Sequence, residues 1–305
     1  MRIAVAINPR ASFGSRTHAG AQTVDYFRAA GADVVELREA SFALLASAVG
    51  RALADGVDAL VVVGGDGMVH LGVNALAGSG EAASTVPLGI VPNGTGNDFA
   101  RTLGLPLNDV AAACRRITGG IASGGRPVDL GRITLDGDCR WFAGVLSAGF
   151  DAAVNDRANG WRWPRGKARY NLAMLRELVA FRAIEYTVTD YTETDDGDTW
   201  RQRAMLISVA NGQSIGGGMR ITPDALPDDG LLDLFVLRPL PRVRFLAVFP
   251  KVFSGRHIGH PAVEIRRVRK VRLSALNVVA YADGERIGPL PLIVEVVPGA
   301  VRILA

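Results

Sequence analysis

The apolar positions fall into two regimes along the chain. Over the first 120 residues, short continuous apolar runs alternate with stretches where apolar residues recur every three to four positions. Ile3-Ala4-Val5-Ala6-Ile7 is such a run and reads as a strand buried on both faces. Residues 17–30 carry helical spacing that stops at Gly31, residues 33–37 form a second strand, and Ser41 is placed to cap a helix over 42–54. Residues 58–63, nearly all Val and Leu, form a third strand; a glycine turn, a helix over 68–77 and a fourth strand over 87–91 follow. Strands alternating with helices predict an α/β domain, a parallel sheet with helices on both faces.

From about residue 126 strands dominate. They are expected at 128–135, 140–147, 184–191, 200–210, 231–237, 263–267, 271–273 and 278–282, with helical patches at 165–183 and 241–256. That pattern predicts a mostly antiparallel β-sandwich. The change follows the Gly/Ser-rich stretch 119–125. The expected organisation is a nucleotide-binding α/β domain over 1–125, a β-sandwich domain over 126–290, and C-terminal strands at 291–305 returning to the first domain. The acidic segment 192–199 reads as an exposed hairpin tip.

Composition narrows the class. With 305 residues, 49% of them hydrophobic and 21% charged, the chain can bury a core in each of two domains. Only Cys114 and Cys139 are present, which excludes a disulfide scaffold and a four-thiolate zinc site. The four histidines have no metal-ligand spacing and are read as surface residues. The start carries no signal-peptide pattern, and the longest apolar candidate, 231–253, is broken by Asp233, Arg238, Arg242, Arg244 and Lys251. A cytoplasmic protein is expected.

The candidate chemistry begins where strands end in glycine. Gly64-Gly65-Asp66-Gly67 follows the Val-rich strand and opens a helix, which places backbone N–H groups where a phosphate can sit. Asp66 would repel bare phosphate and suits a magnesium ion lying between them, although it also fits an ordinary helix N-cap. Pro92-Asn93-Gly94-Thr95-Gly96-Asn97-Asp98 also follows a strand and opens a helix, with Asn97 or Asp98 as its alternative cap. Two such loops on neighbouring strands favour a nucleotide site. Neither matches GxxxxGK[ST] or GxGxxG, so the common phosphate-binding folds are not the explanation. Asn8-Pro9 ends the first strand, where Asn8 can orient the loops and Ser12, Gly14 and Ser15 could reach phosphate.

These three elements together resemble the diacylglycerol kinase catalytic family, which includes bacterial diacylglycerol kinases and the sphingosine and ceramide kinases. The resemblance continues through Gly149-Phe150-Asp151-Ala152, Ala210-Asn211-Gly212, Gly216-Gly217-Gly218 with Pro223, Asp229-Gly230-Leu231-Leu232-Asp233 and Asp283-Gly284-Glu285. It spans nearly the whole chain in order. It implies an ATP-dependent lipid kinase that uses Mg²⁺. The implied nucleotide contacts are Asn8, Pro9, Gly64, Gly65, Asp66, Gly67, Met68, Gly94, Thr95, Gly96 and Asn97, with Asp66 acting indirectly through the magnesium of the nucleotide. The resemblance also implies a catalytic carboxylate in Asp283-Gly284-Glu285, with Asp283 as base and Glu285 orienting it or sharing the role. From the residues alone that Asp-Gly pair is a hairpin turn. A structural Mg²⁺ held by the carbonyls of Leu226 and Leu231 and the side chain of Asp229 is implied as well. The chain departs from the family pattern where Met68 replaces a common Thr and where Val69-His70-Leu71-Gly72 lacks a common Glu.

The acceptor implied is a lipid primary hydroxyl, with diacylglycerol first, and a sphingoid base or other long-chain alcohol as the alternative. An NAD kinase shares the GGDG loop, but its second acidic motif is missing here; a non-catalytic lipid or nucleotide sensor is disfavoured by the intact Asp66, Asp283 and Glu285. Residues 238–272 carry ten Lys or Arg and one acid, Glu264, and 157–182 carry seven basic residues beside Trp161, Trp163 and Tyr170. Both stretches suit transient docking on an anionic membrane surface, with solvated basic faces as the plain alternative. No nucleic-acid module is recognised, and the oligomeric state, a homodimer included, is left open.

Overall fold

The apolar run at the start forms β1 (Arg2–Ile7), an interior strand of a parallel sheet. In this computed structural model residues 1–8, 18–78, 85–149, 183–192 and 196–305 are described. The helical patch at 165–183, the aromatic residues Trp161, Trp163 and Tyr170, and the segment from Pro9 to Thr17 all lie outside them. The chain divides into two units, Met1–Leu130 with Val297–Ala305, and Gly131–Val296.

In the first unit β1 pairs in parallel with β2 (Asp33–Arg38) and β3 (Ala59–Gly64), and β3 pairs in parallel with β4 (Leu88–Pro92). The last residues of β16 (Leu292–Leu304) complete the sheet, Ile303 opposite Leu88. The order β2-β1-β3-β4 reverses direction between β1 and β3, and in such sheets ligands bind beyond the strands' carboxyl ends at that reversal. Alternation sorts the apolar residues between two faces. Ile3, Val5, Val61 and Val63 pack with Phe27 of α1 (Ala19–Ala29) and with Ala113 and Ile117 of α5 (Val110–Ile121). The opposite face, with Val62 and Leu88, meets Gly72 of α3 (Asp66–Gly78). Ser41 caps α2 (Phe42–Ala54) by accepting from Leu44 N–H at 3.3 Å, as its position in the sequence requires. The helix α5 has no counterpart in the expected elements, although Asp109 caps it in the same manner, accepting from Ala112 N–H at 2.9 Å.

The second unit is a β-sandwich. One antiparallel sheet runs β12-β11-β10-β7-β14-β15, with β7 (Val145–Gly149), β10 (Leu206–Ala210), β11 (Leu232–Leu237), β12 (Val263–Val268), β14 (Val279–Ala282) and β15 (Glu285–Pro289). Against it lie β8 (Ile184–Asp190), β9 (Asp198–Ala204), β13 (Lys270–Ser274) and the start of β16, with the end of β5 (Arg126–Leu135) paired to β6 (Asp138–Phe142). Leu146, Ile207, Leu234 and Ala280 of the first sheet meet Tyr186, Val188, Val271 and Leu292 of the second in one buried core. Opposite Phe142 stands Gly131, where a Cβ would lie 2.0 Å from the ring; only glycine lets the aromatic lie across its neighbour. Two expected strands are each broken in two. The strand at 140–147 stops at Ala143-Gly144, and that at 200–210 stops at Met205, whose N–H donates to Leu237 C=O at 2.8 Å.

The outer face of the first sheet is covered by α6 (Arg242–Val248), through Phe245, and by a 3-10 helix (Phe249–Ser254). The pattern predicted one helix over 241–256. Pro250 lacks the N–H that an α-helical turn needs, and the segment tightens there, ending at Gly255 with φ 72°. Between this cover and the sheet lies an apolar cavity lined by Leu206, Ile215, Ile221, Phe249 and Val252 among others, with His257 in its wall. His257 is 1% exposed, which corrects its reading as a surface residue. Its Nε2 meets Ile221 C=O at 3.0 Å, and its Nδ1 has no hydrogen-bond partner among the described residues.

Burial holds the His257 imidazole below its ordinary value, and the bond to Ile221 only partly offsets this. The folded state therefore resists a proton that the unfolded chain takes up near pH ~6.5. This contribution to stability is complete above that value and is lost as pH falls below it. Thermal unfolding at pH 7.5 and pH 5 checks this: the midpoint falls on acidification, and His257→Phe reduces the fall. An equal fall in the variant assigns the acid sensitivity elsewhere.

Candidate functional site

The first cluster is built from the carboxyl ends of β1, β3 and β4. Because β3 and β4 are neighbours, the turns that follow them emerge side by side, and Asn93 N–H donates to Gly64 C=O at 2.8 Å. Asn8 joins them, donating its N–H to Val63 C=O at 3.2 Å. A Cβ on Gly94 would stand 2.3 Å from the Gly65 Cα, and one on Gly65 would stand 3.0 Å from the Gly94 Cα. Backbone lies on backbone, and no other residue type fits at Gly94.

Asp66 opens α3 and reaches across to the second loop. Its Oδ1 accepts from Phe99 N–H at 3.2 Å, so Asp66 caps α4 (Asp98–Thr102) from another element. Asn97 stands at the cap position of α4 in a left-handed conformation, φ 57°, and makes no side-chain cap bond. Its amide closes on Gly94 instead, with Oδ1 accepting from Gly94 N–H at 2.9 Å and Nδ2 donating to Gly94 C=O at 3.1 Å. The side chain of Asn97 thus does not cap the helix it precedes. The carboxylates of Asp66 and Asp98 converge on Gly96, where a Cβ would lie 2.6 Å from one and 3.4 Å from the other.

The Met68 side chain is buried beneath Gly64, and its N–H donates to Gly65 C=O at 2.9 Å. Asn8, Gly64, Gly65, Asp66, Gly67, Gly94, Thr95, Gly96 and Asn97 are brought together by these turns, and Pro9 lies outside the described residues. At the start of α3 the N–H groups of Asp66 and Gly67 have no acceptor within the helix, by the geometry of any helix N-terminus.

The second cluster belongs to the other unit. Asp283 and Gly284 turn between β14 and β15 with φ 50° and 87°, the left-handed pair a tight hairpin demands. The Asp283 carboxylate reaches the break between β6 and β7: Oδ2 accepts from Ala143 N–H at 2.8 Å, and Oδ1 accepts from Gly144 N–H at 2.9 Å and Val145 N–H at 3.2 Å. Asn211 grips the same peptides through their carbonyls. Its Nδ2 donates to Ala143 C=O at 2.9 Å and its N–H to Gly144 C=O at 2.8 Å. Sequence reading named Asn211 as part of a motif but gave it no role, because Asn-Gly looks like any turn. Glu285, two residues after Asp283, is exposed.

The residues of the expected structural magnesium set lie in the segment that leads into β11. Asp229 pairs with Arg267, and its Oδ1 accepts from Leu231 N–H at 3.1 Å. Leu226 is exposed beside it in sequence. Asp233, 3.5 Å from Arg267, is pushed up to about 6 by burial, with Arg267 working against the rise and Asp229 and Asp224 adding to it. One guanidinium serves this acidic group. Among the described residues there is no cluster of three His, Cys, Asp or Glu side chains that could hold a metal.

Two glycine substitutions test the backbone contact. Gly94→Ala is expected to lower stability by about 1–3 kcal/mol, because the loops must part. Gly50→Ala, at an exposed position of α2 with nothing within 4 Å, raises it by up to about 1 kcal/mol. Chemical denaturation of both proteins decides; a neutral Gly94→Ala removes the contact from the account.

Both parts of the chain match known family models. Residues 2–133 match the diacylglycerol kinase catalytic domain, and residues 144–305 match the YegS C-terminal NAD kinase beta sandwich-like domain. A diacylglycerol kinase of Mycobacterium tuberculosis is 37% identical over 305 residues, covering 99% of this chain and 94% of its own. A diacylglycerol kinase of Bacillus subtilis is 28% identical over 236 residues, covering 77% and 73%. A crystal structure of a diacylglycerol kinase from Bacillus anthracis shares the fold, with a TM-score of 0.70 at 21% identity over 99% of this chain and 96% of that one. With both domain models matched in order and a relative of that identity along nearly its full length, the chain belongs to the diacylglycerol kinase family of YegS-like lipid kinases.

Proposed function

We propose that this chain transfers the γ-phosphoryl group of ATP to the primary hydroxyl of a lipid, with diacylglycerol as acceptor and phosphatidic acid as product. The observation that carries the lipid reading is the position of the apolar cavity. Its lining residues Ile215, Ile221 and Val252 pack with Val145 and Ala210, the chain neighbours of Gly144 and Asn211 in the Asp283 cluster. Thr222, next to the cavity's Ile221, donates its hydroxyl to Gly212 C=O at 2.9 Å, and Gly212 N–H donates to Gly144 C=O at 3.0 Å. An apolar cavity wall thus shares backbone bonds with the loop held by a carboxylate. That combination suits an acceptor with an apolar body and one reactive hydroxyl.

The proposed division of labour follows from each cluster. ATP enters as its magnesium complex, in which the cation offsets the charge of the phosphates. The glycine turns admit the phosphates close to backbone N–H groups, and Asp66 would hold the magnesium of the nucleotide, which would offset the repulsion between its carboxylate and the phosphates. Asp283 accepts the proton of the acceptor hydroxyl, and Glu285 orients the hydroxyl. An alcohol gives up its proton late, so positioning and charge stabilisation supply most of the acceleration.

A phosphate-transfer screen with labelled ATP tests this, with diacylglycerol, sphingoid bases, other long-chain alcohols and NAD as acceptors. Label in phosphatidic acid is expected; label in the NAD arm alone, or in none, contradicts the reading. In the same assay Asp283→Asn removes turnover. It also lowers the unfolding free energy by about 1–3 kcal/mol, since at least one of the three backbone donors then faces an amide NH₂. Glu285→Gln lowers turnover with the folding stability kept. An Asp283→Asn protein as active as the parent assigns the base elsewhere.

A further inference from the structure

The segment 241–258 presents apolar side chains on two opposite sides. Its inner side is accounted for: Phe245 is buried against Leu206, Phe235 and Leu237, and Phe249 stacks on Phe245 with ring centroids 5.8 Å apart. Its outer side is not. Val243 is 80% exposed, Leu246 49%, Phe253 53% and Ile258 41%. Val243 and Leu246 stand three apart on α6, one above the other on the face away from Phe245 and Val248. Phe253 meets Phe249 edge-on at 6.0 Å, which ties the 3-10 helix to the same element. Scattered single exposed apolar residues are ordinary; four within one short element are not.

Charge identifies what such a face meets. Arg242, Arg244, Lys251 and Arg256 are all exposed and interleave with these apolar side chains, and no Asp or Glu occurs anywhere in 234–263. A protein partner's face would need a matching acidic surface with an apolar centre. A bilayer with anionic headgroups offers both at once: negative charge at the level of the cations and hydrocarbon just beneath it. The element is short and broken at Pro250, and among the described residues no helix is long and apolar enough to cross a membrane. It suits lying in the interface, not spanning it.

We propose that α6, the 3-10 helix and the turn to Ile258 form the element by which this protein seats itself on an anionic phospholipid bilayer, Val243, Leu246, Phe253 and Ile258 entering the acyl boundary while the four cations hold the headgroups. The inference narrows the basic stretch 238–272 to one element and adds its apolar half. It rests on the lipid-kinase reading for its purpose, since the acceptor then lies in that bilayer. The four entering side chains are separate from the cavity lining and from the Asp283 cluster. Membrane seating can therefore be removed without touching either.

The test compares the full chain with Val243→Gln/Leu246→Gln and with Arg244→Gln/Lys251→Gln. Co-sedimentation uses vesicles of phosphatidylcholine alone and of phosphatidylcholine with phosphatidylglycerol. Turnover is measured on a soluble short-chain diacylglycerol and on long-chain diacylglycerol in the mixed vesicles. The expected result is at least a tenfold loss of binding to the anionic vesicles for each pair. Turnover on vesicles falls in parallel, while the soluble acceptor is turned over within twofold of the parent and the unfolding midpoint is unchanged. Parent-like binding by folded Val243→Gln/Leu246→Gln overturns the proposal. So does a change in oligomeric state on sedimentation velocity with vesicle binding intact, which would make the face a protein interface. If the parent turns over neither form of diacylglycerol, the kinase reading fails, and the vesicle binding still decides the docking face independently. Should either pair unfold, Phe253→Ser and Ile258→Ser, placed outside the α-helix, give the same readouts.

Discussion

The first unit depends on backbone touching backbone at Gly65 and Gly94. Adjacent parallel strands deliver their following turns side by side, but ordinary residues would hold those turns apart by the width of their side chains. With glycine at both positions the turns close on each other, Asn97 folds its amide back onto Gly94, and Asp66 reaches across to cap α4. The two turns behave as one piece, with helix N-termini and two carboxylates fixed about Gly96. A site for a charged ligand built this way needs little rearrangement when the ligand arrives, because backbone groups have few alternatives to occupy.

The second unit solves a related problem with side chains. A strand that would run through 140–147 is interrupted at Ala143-Gly144, and an interrupted strand leaves backbone groups to be satisfied. Asp283 takes the three N–H groups and Asn211 and Gly212 answer the carbonyls. The hairpin that carries Asp283 is thereby locked to the neighbouring strand break. The cavity beneath α6 abuts the same backbone through Ile221 and Thr222. The Asp283 carboxylate and the apolar cavity are thus tied to one set of peptide groups in this unit.

The architecture was legible because strand and helix periods differ and because β3 ends in glycine and β4 runs into one two residues on. Ser41 was read correctly from its place before an apolar helix. What escaped the sequence was long-range partnership. Asp66 and Asn97 each look like a local cap, and only the strand order reveals that Asp66 caps the helix after Asn97. His257 reads as a surface residue beside Gly259 and Pro261, and its burial comes from the fold of α6 over β10 and β11. Asp283-Gly284 reads as a turn and is one; its three backbone donors come from residues about 140 positions earlier. The set around Asp229 was carried over from resemblance by spacing, which gave no sign that Arg267, 38 positions away, pairs with that carboxylate. Met68 was placed among the ligand contacts through the resemblance, and nothing in its place after GGDG showed that its side chain is buried in the core.

The central claim is that the joined glycine turns seat the triphosphate. A crystal structure of the chain with magnesium and a non-hydrolysable ATP analogue measures it directly. The account predicts the β- and γ-phosphates lying along the turns at 64–67 and 94–97, with the magnesium between them and Asp66. Phosphates bound away from both turns, with Gly65 and Gly94 still in contact, would contradict it.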